Sequence, residues 1–191
     1  MRRAAVLLLV TGVVAACSGP PEVERDFSTS PRDARLALEL LAAEGPVPAR
    51  VVGFPFVDTT RGSPSDALAV VADGVPALTV RFVEEPDSTA RTFLVLAYNQ
   101  RPGASPCPPP GVDLEPAPAT DAFQRVSLAM CDGPVAVGAV RGEAIAGTAD
   151  SGELARTYRR LSRALFPSLY NERYGLGVGP FRFGLNTTFG F

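Results

Sequence analysis

Histidine, lysine and tryptophan are all absent from this 191-residue chain, and each absence closes a route to function. Without histidine there is no Ser-His-Asp or Cys-His nucleophile system, no imidazole zinc site and no imidazole proton shuttle. Without lysine there is no P-loop, no Schiff base and no Ser-Lys dyad. The lack of tryptophan removes the best stacking surface for a sugar, although 4 Tyr and 11 Phe remain. No cofactor, no metal-ligating set and no catalytic residue is assigned from the sequence. The enzyme route that composition leaves open is a pair of Asp or Glu carboxylates acting as acid and base. The densest acidic cluster, Glu84, Glu85 and Asp87, flanks Pro86 in the pattern of a solvated turn.

Positive charge is scarce as well. Each of the 18 basic residues is an arginine, set against 20 acidic residues. Such a chain lacks the cationic surface and counterion release on which nucleic-acid binding depends, so no nucleic-acid partner is expected.

Cysteine occurs 3 times. The first closes a distinctive N-terminus: Arg2 and Arg3, an uncharged apolar run from Ala4 to Ala16, then Val14-Ala15-Ala16-Cys17. This order resembles the lipobox signals of bacterial lipoproteins. The resemblance implies that residues 1–16 are removed and that Cys17 is acylated as the new N-terminus. By the same resemblance Ser18, where an Asp would favour inner-membrane retention, implies the periplasmic side of the outer membrane. A conventional signal-peptidase cut before Cys17 also suits Val14 and Ala16. It would leave three thiols in an oxidising compartment, one of them unpaired. An uncleaved anchor is a third reading, but the apolar run falls short of the ~20 residues of a spanning helix. Acylation of Cys17 leaves an even pair, and Cys107 and Cys131 are expected to form a disulfide between a Pro-rich loop and a strand.

The rest of the chain divides into a tether (residues 17–29), a single α/β domain (30–166) and a Gly/Phe-rich tail (167–191). The tether is rich in Pro and acidic residues and spans on the order of 20 Å as a flexible segment. Ser30 as N-cap, Pro31 and Asp33 open a helix that runs to about Glu44 and ends at Gly45. Leu36, Leu38, Leu40 and Leu41 are expected to be buried, with Arg32, Arg35 and Glu39 facing water. Arg50 to Val57 reads as a strand that Pro55 places at an edge or an end. The polar loop from Asp58 to Gly62 suits either a ligand or a plain connection. Ser63-Pro64-Ser65-Asp66 repeats the earlier cap and opens a short helix stopping at Gly74. Ala77–Glu84 and Thr89–Tyr98 read as an antiparallel hairpin. An irregular loop from Asn99 to Asp121 follows, and then strands Phe123–Cys131 and Pro134–Arg141 joined at Asp132-Gly133. Asp150-Ser151-Gly152-Glu153 starts a last helix to about Phe166. Its apolar face is Leu154, Tyr158, Leu161 and Leu165. Arg156, Arg159, Arg160 and Arg163 lie away from it, suited to an anionic lipid surface or simply to water.

The fold expected is α/β (α+β), a two-layer sandwich of about five mostly antiparallel strands with helices on one face and a β-like C-terminal tail. Val51 to Asp58 (VVGFPFVD) resembles the opening strand of envelope lipoproteins of the curli-secretion and penicillin-binding-protein-activator kind, and no function is carried over from those eight residues. In the tail, Phe181, Phe183, Leu185, Thr187, Phe189 and Phe191 alternate with small or polar residues, which is a strand signal. This pattern resembles the C-terminal strand of outer-membrane β-barrels, but the chain lacks the eight or more membrane strands that a barrel requires. The tail either packs its Phe face on the domain or offers it to a membrane or protein. The functional expectation is a lipid-anchored envelope lipoprotein at the outer membrane, acting as a non-enzymatic accessory or binding module. It would contact the membrane through lipidated Cys17 and have an envelope protein as candidate partner. The alternatives are a hydrolase using only Asp and Glu carboxylates, or an assembly or secretion component docking through its C-terminal strand.

Overall fold

The computed structural model describes residues 23–25, 29–56, 61–85, 90–101, 103–107, 124–144 and 152–168. Within these, the chain order is β1 (Val23–Arg25), α1 (Pro31–Glu44), β2 (Val47–Val52), α2 (Pro64–Asp73), β3 (Phe82–Glu84), β4 (Thr92–Tyr98), β5 (Gln124–Asp132), β6 (Val135–Ala144) and α3 (Gly152–Leu165). The helix starts follow from local chemistry. The Ser30 hydroxyl accepts from the Asp33 N–H at 3.3 Å, capping α1. At α2 the cap is reciprocal: the Asp66 N–H donates to the Ser63 hydroxyl and the Ser63 N–H donates to the Asp66 carboxylate at 2.7 Å. Gly45 and Gly74 end these two helices where the sequence places the stops.

The strands form one sheet in the order β1-β6-β5-β4-β2-β3. The hairpin β5–β6 turns at Gly133, which takes φ 59°, and pairs from Gln124–Ala144 to Asp132–Val135 with one register shift between Met130 and Cys131. The other hairpin expected from the sequence does not form. β3 and β4 are separated by β2, which runs parallel to both. Only Phe82–Glu84 is strand on the first arm; Ala77 takes φ 52°, and Leu78 and Val80 pack against the core from irregular chain. β2 is accordingly an interior strand and ends before Pro55. It contains Pro48, and the register shows why this is tolerated. Val47 donates to Arg81 and Ala49 accepts from Glu85, both on the β3 side. The donor that Pro48 lacks therefore falls on the β4 side, where pairing begins only at Ala49.

A sixth strand comes from the stretch expected to be a tether. Val23–Arg25 pairs antiparallel with Val140–Gly142 of β6. The same edge is held further down, where Ser30 N–H donates to the Val137 carbonyl and the Ala139 N–H donates to the Thr29 hydroxyl.

All three helices lie on one face of the sheet. Leu38, Leu68, Val71, Leu154 and Leu161 meet Leu94, Leu96, Leu128, Met130 and Val140 there. The opposite face is also buried, with Phe93, Val95, Ala97, Ala129, Cys131 and Ala139 clustered around Cys107. The orientation of α1 differs from the sequence expectation. Ala34 and Leu38 face the core, Leu36 is 42% and Leu40 71% exposed, and Arg35 is only 3% exposed. α1 has four leucines but one buried stripe. Arg35 can be covered because its guanidinium is satisfied, donating to Glu39 at 2.6 Å and to the Pro76 carbonyl at 2.7 Å.

Candidate functional site

β2 and β4 run parallel, and their two ends carry different chemistry. At their carboxyl ends the chain builds an aromatic and amide cluster. Phe54, just past β2, meets Phe56 and Tyr98 edge-on, with ring centroids 5.4 Å and 5.7 Å apart. Beneath them the hydroxyls of Tyr98 and Tyr158 share a hydrogen bond of 2.6 Å. Both phenols are buried, and burial pushes their pKa values above the ordinary tyrosine range. Asn99 follows in a left-handed conformation (φ 50°), which asparagine adopts readily. Its backbone N–H donates to the Arg125 carbonyl, its side-chain oxygen accepts from the Arg125 N–H, and its amide donates to Gln124. Ser127 donates to Gln100 at 2.9 Å. Asn99, Gln124, Arg125 and Ser127 find partners within this cluster, whereas the Gln100 amide nitrogen is buried without a partner among the described residues.

At the amino ends of β2 and β4 the surface is concave. Leu41, Glu44 and Gly45 from the end of α1, Pro46 and Pro48 from the start of β2, and Ala90, Arg91 and Thr92 before β4 line an open cleft of about 390 Å³. Most of this lining is apolar, with a carboxylate and a guanidinium contributed by Glu44 and Arg91. Arg91 is held in place by a two-point contact with Asp132, at 2.7 and 3.1 Å. That pairing raises the Arg91 pKa and keeps the cation fixed. Exposed Leu40 stands one residue before Leu41 on the same helix. A concave apolar floor with a few fixed polar groups is the arrangement that binding sites favour. Sequence reasoning did not find this cleft, because its two segments, 41–48 and 90–92, come together only through the parallel pairing of β2 and β4.

The disulfide expected from the cysteine count is present, linking Cys107 to Cys131 across 24 residues. It pins the segment after Asn99 onto the sheet face away from the helices. On that face the Arg50 guanidinium lies 4.1 Å from the centre of the Phe93 ring. Cys17 lies outside the described residues, as do the tail from residue 169 onward, Asp87, and most of the loop from Asp58 to Gly62. Glu84 and Glu85 are exposed and apart from the cleft. Among the described residues no group of three or more His, Cys, Asp or Glu is placed to hold a metal ion, and no helix is long and apolar enough to cross a membrane.

Neither a protein-family model nor a curated protein matches the chain. Among solved structures it is similar to the PelC dodecamer from Paraburkholderia phytofirmans and to a single-substitution variant of that dodecamer. Each is 19% identical over 76% of this chain, with 94% and 93% of the matched chains covered and a TM-score of 0.37.

Proposed function

We propose that this chain is a lipid-anchored module of the bacterial envelope, held through Cys17 at the periplasmic side of the outer membrane, and that it works by binding an envelope partner. The observation that carries this reading is the use of the cysteines. Two of the three are joined in a disulfide, a bond that belongs to an oxidising compartment, and the third is the cysteine of the lipobox-like stretch. The cleft between α1 and the starts of β2 and β4, with Leu40 beside it, supplies a surface suited to a partner. The carboxylate-hydrolase alternative requires an Asp or Glu desolvated enough to keep its proton near neutral pH. Among the described residues every Asp and Glu keeps contact with solvent.

Cys17→Ser tests the anchor. The variant should lose incorporation of labelled fatty acid and either move to the soluble periplasmic fraction or stay unprocessed; a processed variant that still fractionates with membranes would overturn the assignment. A photo-reactive residue in place of Leu40 tests the binding surface. A discrete envelope adduct from that position, absent when the probe replaces exposed Arg61, is expected, and the absence of any adduct from Leu40 counts against this surface.

A further inference from the structure

The last helix presents a cationic face that enters no ion pair among the described residues. Leu154, Tyr158, Leu161 and Leu165 of α3 point into the core, while Arg156 and Arg163 are exposed and Arg159 and Arg160 half-exposed. Glu153 is the one acidic residue of the helix. The ion pairs Arg35 with Glu39 and Arg91 with Asp132 lie elsewhere, so the four guanidiniums of α3 have no carboxylate partner among the described residues.

Where α3 sits gives this face a direction. The helix packs on β6 and touches β1. One flank is taken by α2, since Gly74 lies against Arg159 and Ser162, and the Ser162 hydroxyl donates to the Val71 carbonyl. Helical spacing puts Arg160 on the opposite flank, toward β1, with Arg156 and Arg163 on the outer surface beside it. β1 is also where the chain leaves for its N-terminus. From Val23 back to Cys17 the chain covers at most ~22 Å even when fully extended. An acyl group on Cys17 thus keeps the β1 edge, and α3 beside it, within reach of the lipid headgroups, and a guanidinium that comes within a Debye length of about 8 Å of them feels the surface charge.

We propose that the arginine face of α3 is an electrostatic contact with anionic phospholipid in the leaflet that anchors Cys17, an inference that rests on the lipid-anchor reading. The guanidiniums of Arg156, Arg160 and Arg163 meet headgroup phosphates, and the two attachments together fix the orientation of the domain, with the outer face of α3 toward the bilayer. Overall charge argues against adsorption by default, because without Arg2 and Arg3 the chain keeps 16 basic against 20 acidic residues and is repelled by an anionic surface except at a local cationic patch.

The test uses the whole mature chain carrying Cys17→Ser behind a conventional cleavable signal, so that no acyl group contributes. Sedimentation with phosphatidylglycerol–phosphatidylcholine vesicles is compared with pure phosphatidylcholine vesicles. Binding should occur to the first alone and weaken with salt. Arg156→Gln, Arg160→Gln and Arg163→Gln should each weaken it about five-fold, and of the order of a hundred-fold together. The matching Arg→Lys substitutions should retain most of the binding, and the triple Gln variant should melt with the parent. Equal binding to both vesicle types, no binding to either, or binding indifferent to the triple substitution would overturn the proposal. So would displacement by inorganic phosphate at the concentration of lipid phosphate, which would mark a discrete anion pocket instead of a surface. Because the tested chain has no acyl group, its failure leaves the Cys17 assignment standing; that assignment falls only in the fatty-acid labelling experiment.

Discussion

Tyr98 of β4 and Tyr158 of α3 join the sheet to the helical layer through a single buried hydrogen bond, hydroxyl to hydroxyl, at 2.6 Å. Their rings stand nearly perpendicular, at 83°, with centroids 6.3 Å apart. Removing one hydroxyl leaves the other without its partner in a buried site. Tyr98→Phe or Tyr158→Phe should each cost about 1–3 kcal/mol in urea unfolding, and the double variant should cost less than the sum of the two.

The same pair sets an alkaline limit. Burial, and for Tyr98 the neighbouring Tyr158, raises both folded pKa values above the ordinary 10.0. The unfolded chain therefore loses these protons first. Stability from this source is complete below pH 10 and declines as pH rises above it. Melting temperature followed upward through that range should fall, and the double Phe variant should flatten this part of the decline.

The Cys107–Cys131 disulfide closes a loop with its ends 24 residues apart. The chain-entropy relation gives a contribution of roughly 3.5 kcal/mol. Replacing both cysteines with serine should lower stability by about that amount, and thiol labelling of unfolded, unreduced protein should find neither sulfur free. Two reactive thiols would show the bond to be absent.

Gly74 serves close approach and not backbone freedom, because its φ of −76° suits any residue. A methyl group there would stand 2.7 Å from the Arg159 Cα and 2.8 Å from the Ser162 Cβ. Gly74→Ala should force α2 and α3 apart at a cost of about 1–3 kcal/mol, read as a lowered melting temperature.

Asp66 gives the fold an acid limit at the start of α2. Hydrogen bonds from the Ser63 hydroxyl and backbone N–H hold its carboxyl below the ordinary 3.8. Its contribution is present above that value and is lost as pH falls through the lower folded pKa. Asp66→Asn should reduce the acid dependence of the α2 amide exchange rates, and Ser63→Ala should do the same by removing the partner.

The parts of this fold that were legible in the sequence are those written in neighbouring residues. Ser30-Pro31 and Ser63-Pro64 mark helix starts, Gly45 and Gly74 mark stops, and Asp132-Gly133 joins two strands, because a cap or a turn needs only residues a few positions apart. The disulfide followed from parity. The insertion of β2 between β3 and β4 was not legible, since parallel pairing is decided by contacts distant in the chain. β1 was hidden for a related reason: Val23-Glu24-Arg25 has no strand signal of its own and is extended because β6 presents an open edge. α1 misled through surplus, as four leucines competed for one buried stripe and Arg35 found partners that let it in. The cleft depends on β2 lying beside β4, so it was lost with that pairing.

The ladder between β1 and β6 has a mechanical meaning. Among the described residues, a pull applied through the N-terminus is first borne by three register pairs, Val23–Gly142 to Arg25–Val140. Behind them stand the bonds of Thr29 and Ser30 to Ala139 and Val137. Under load this short ladder should yield before the longer β4–β5 and β5–β6 ladders, which would stay paired while the residues of β1 are released. An edge strand of this kind would act as a shock absorber between a hold on the N-terminus and a grip on the domain.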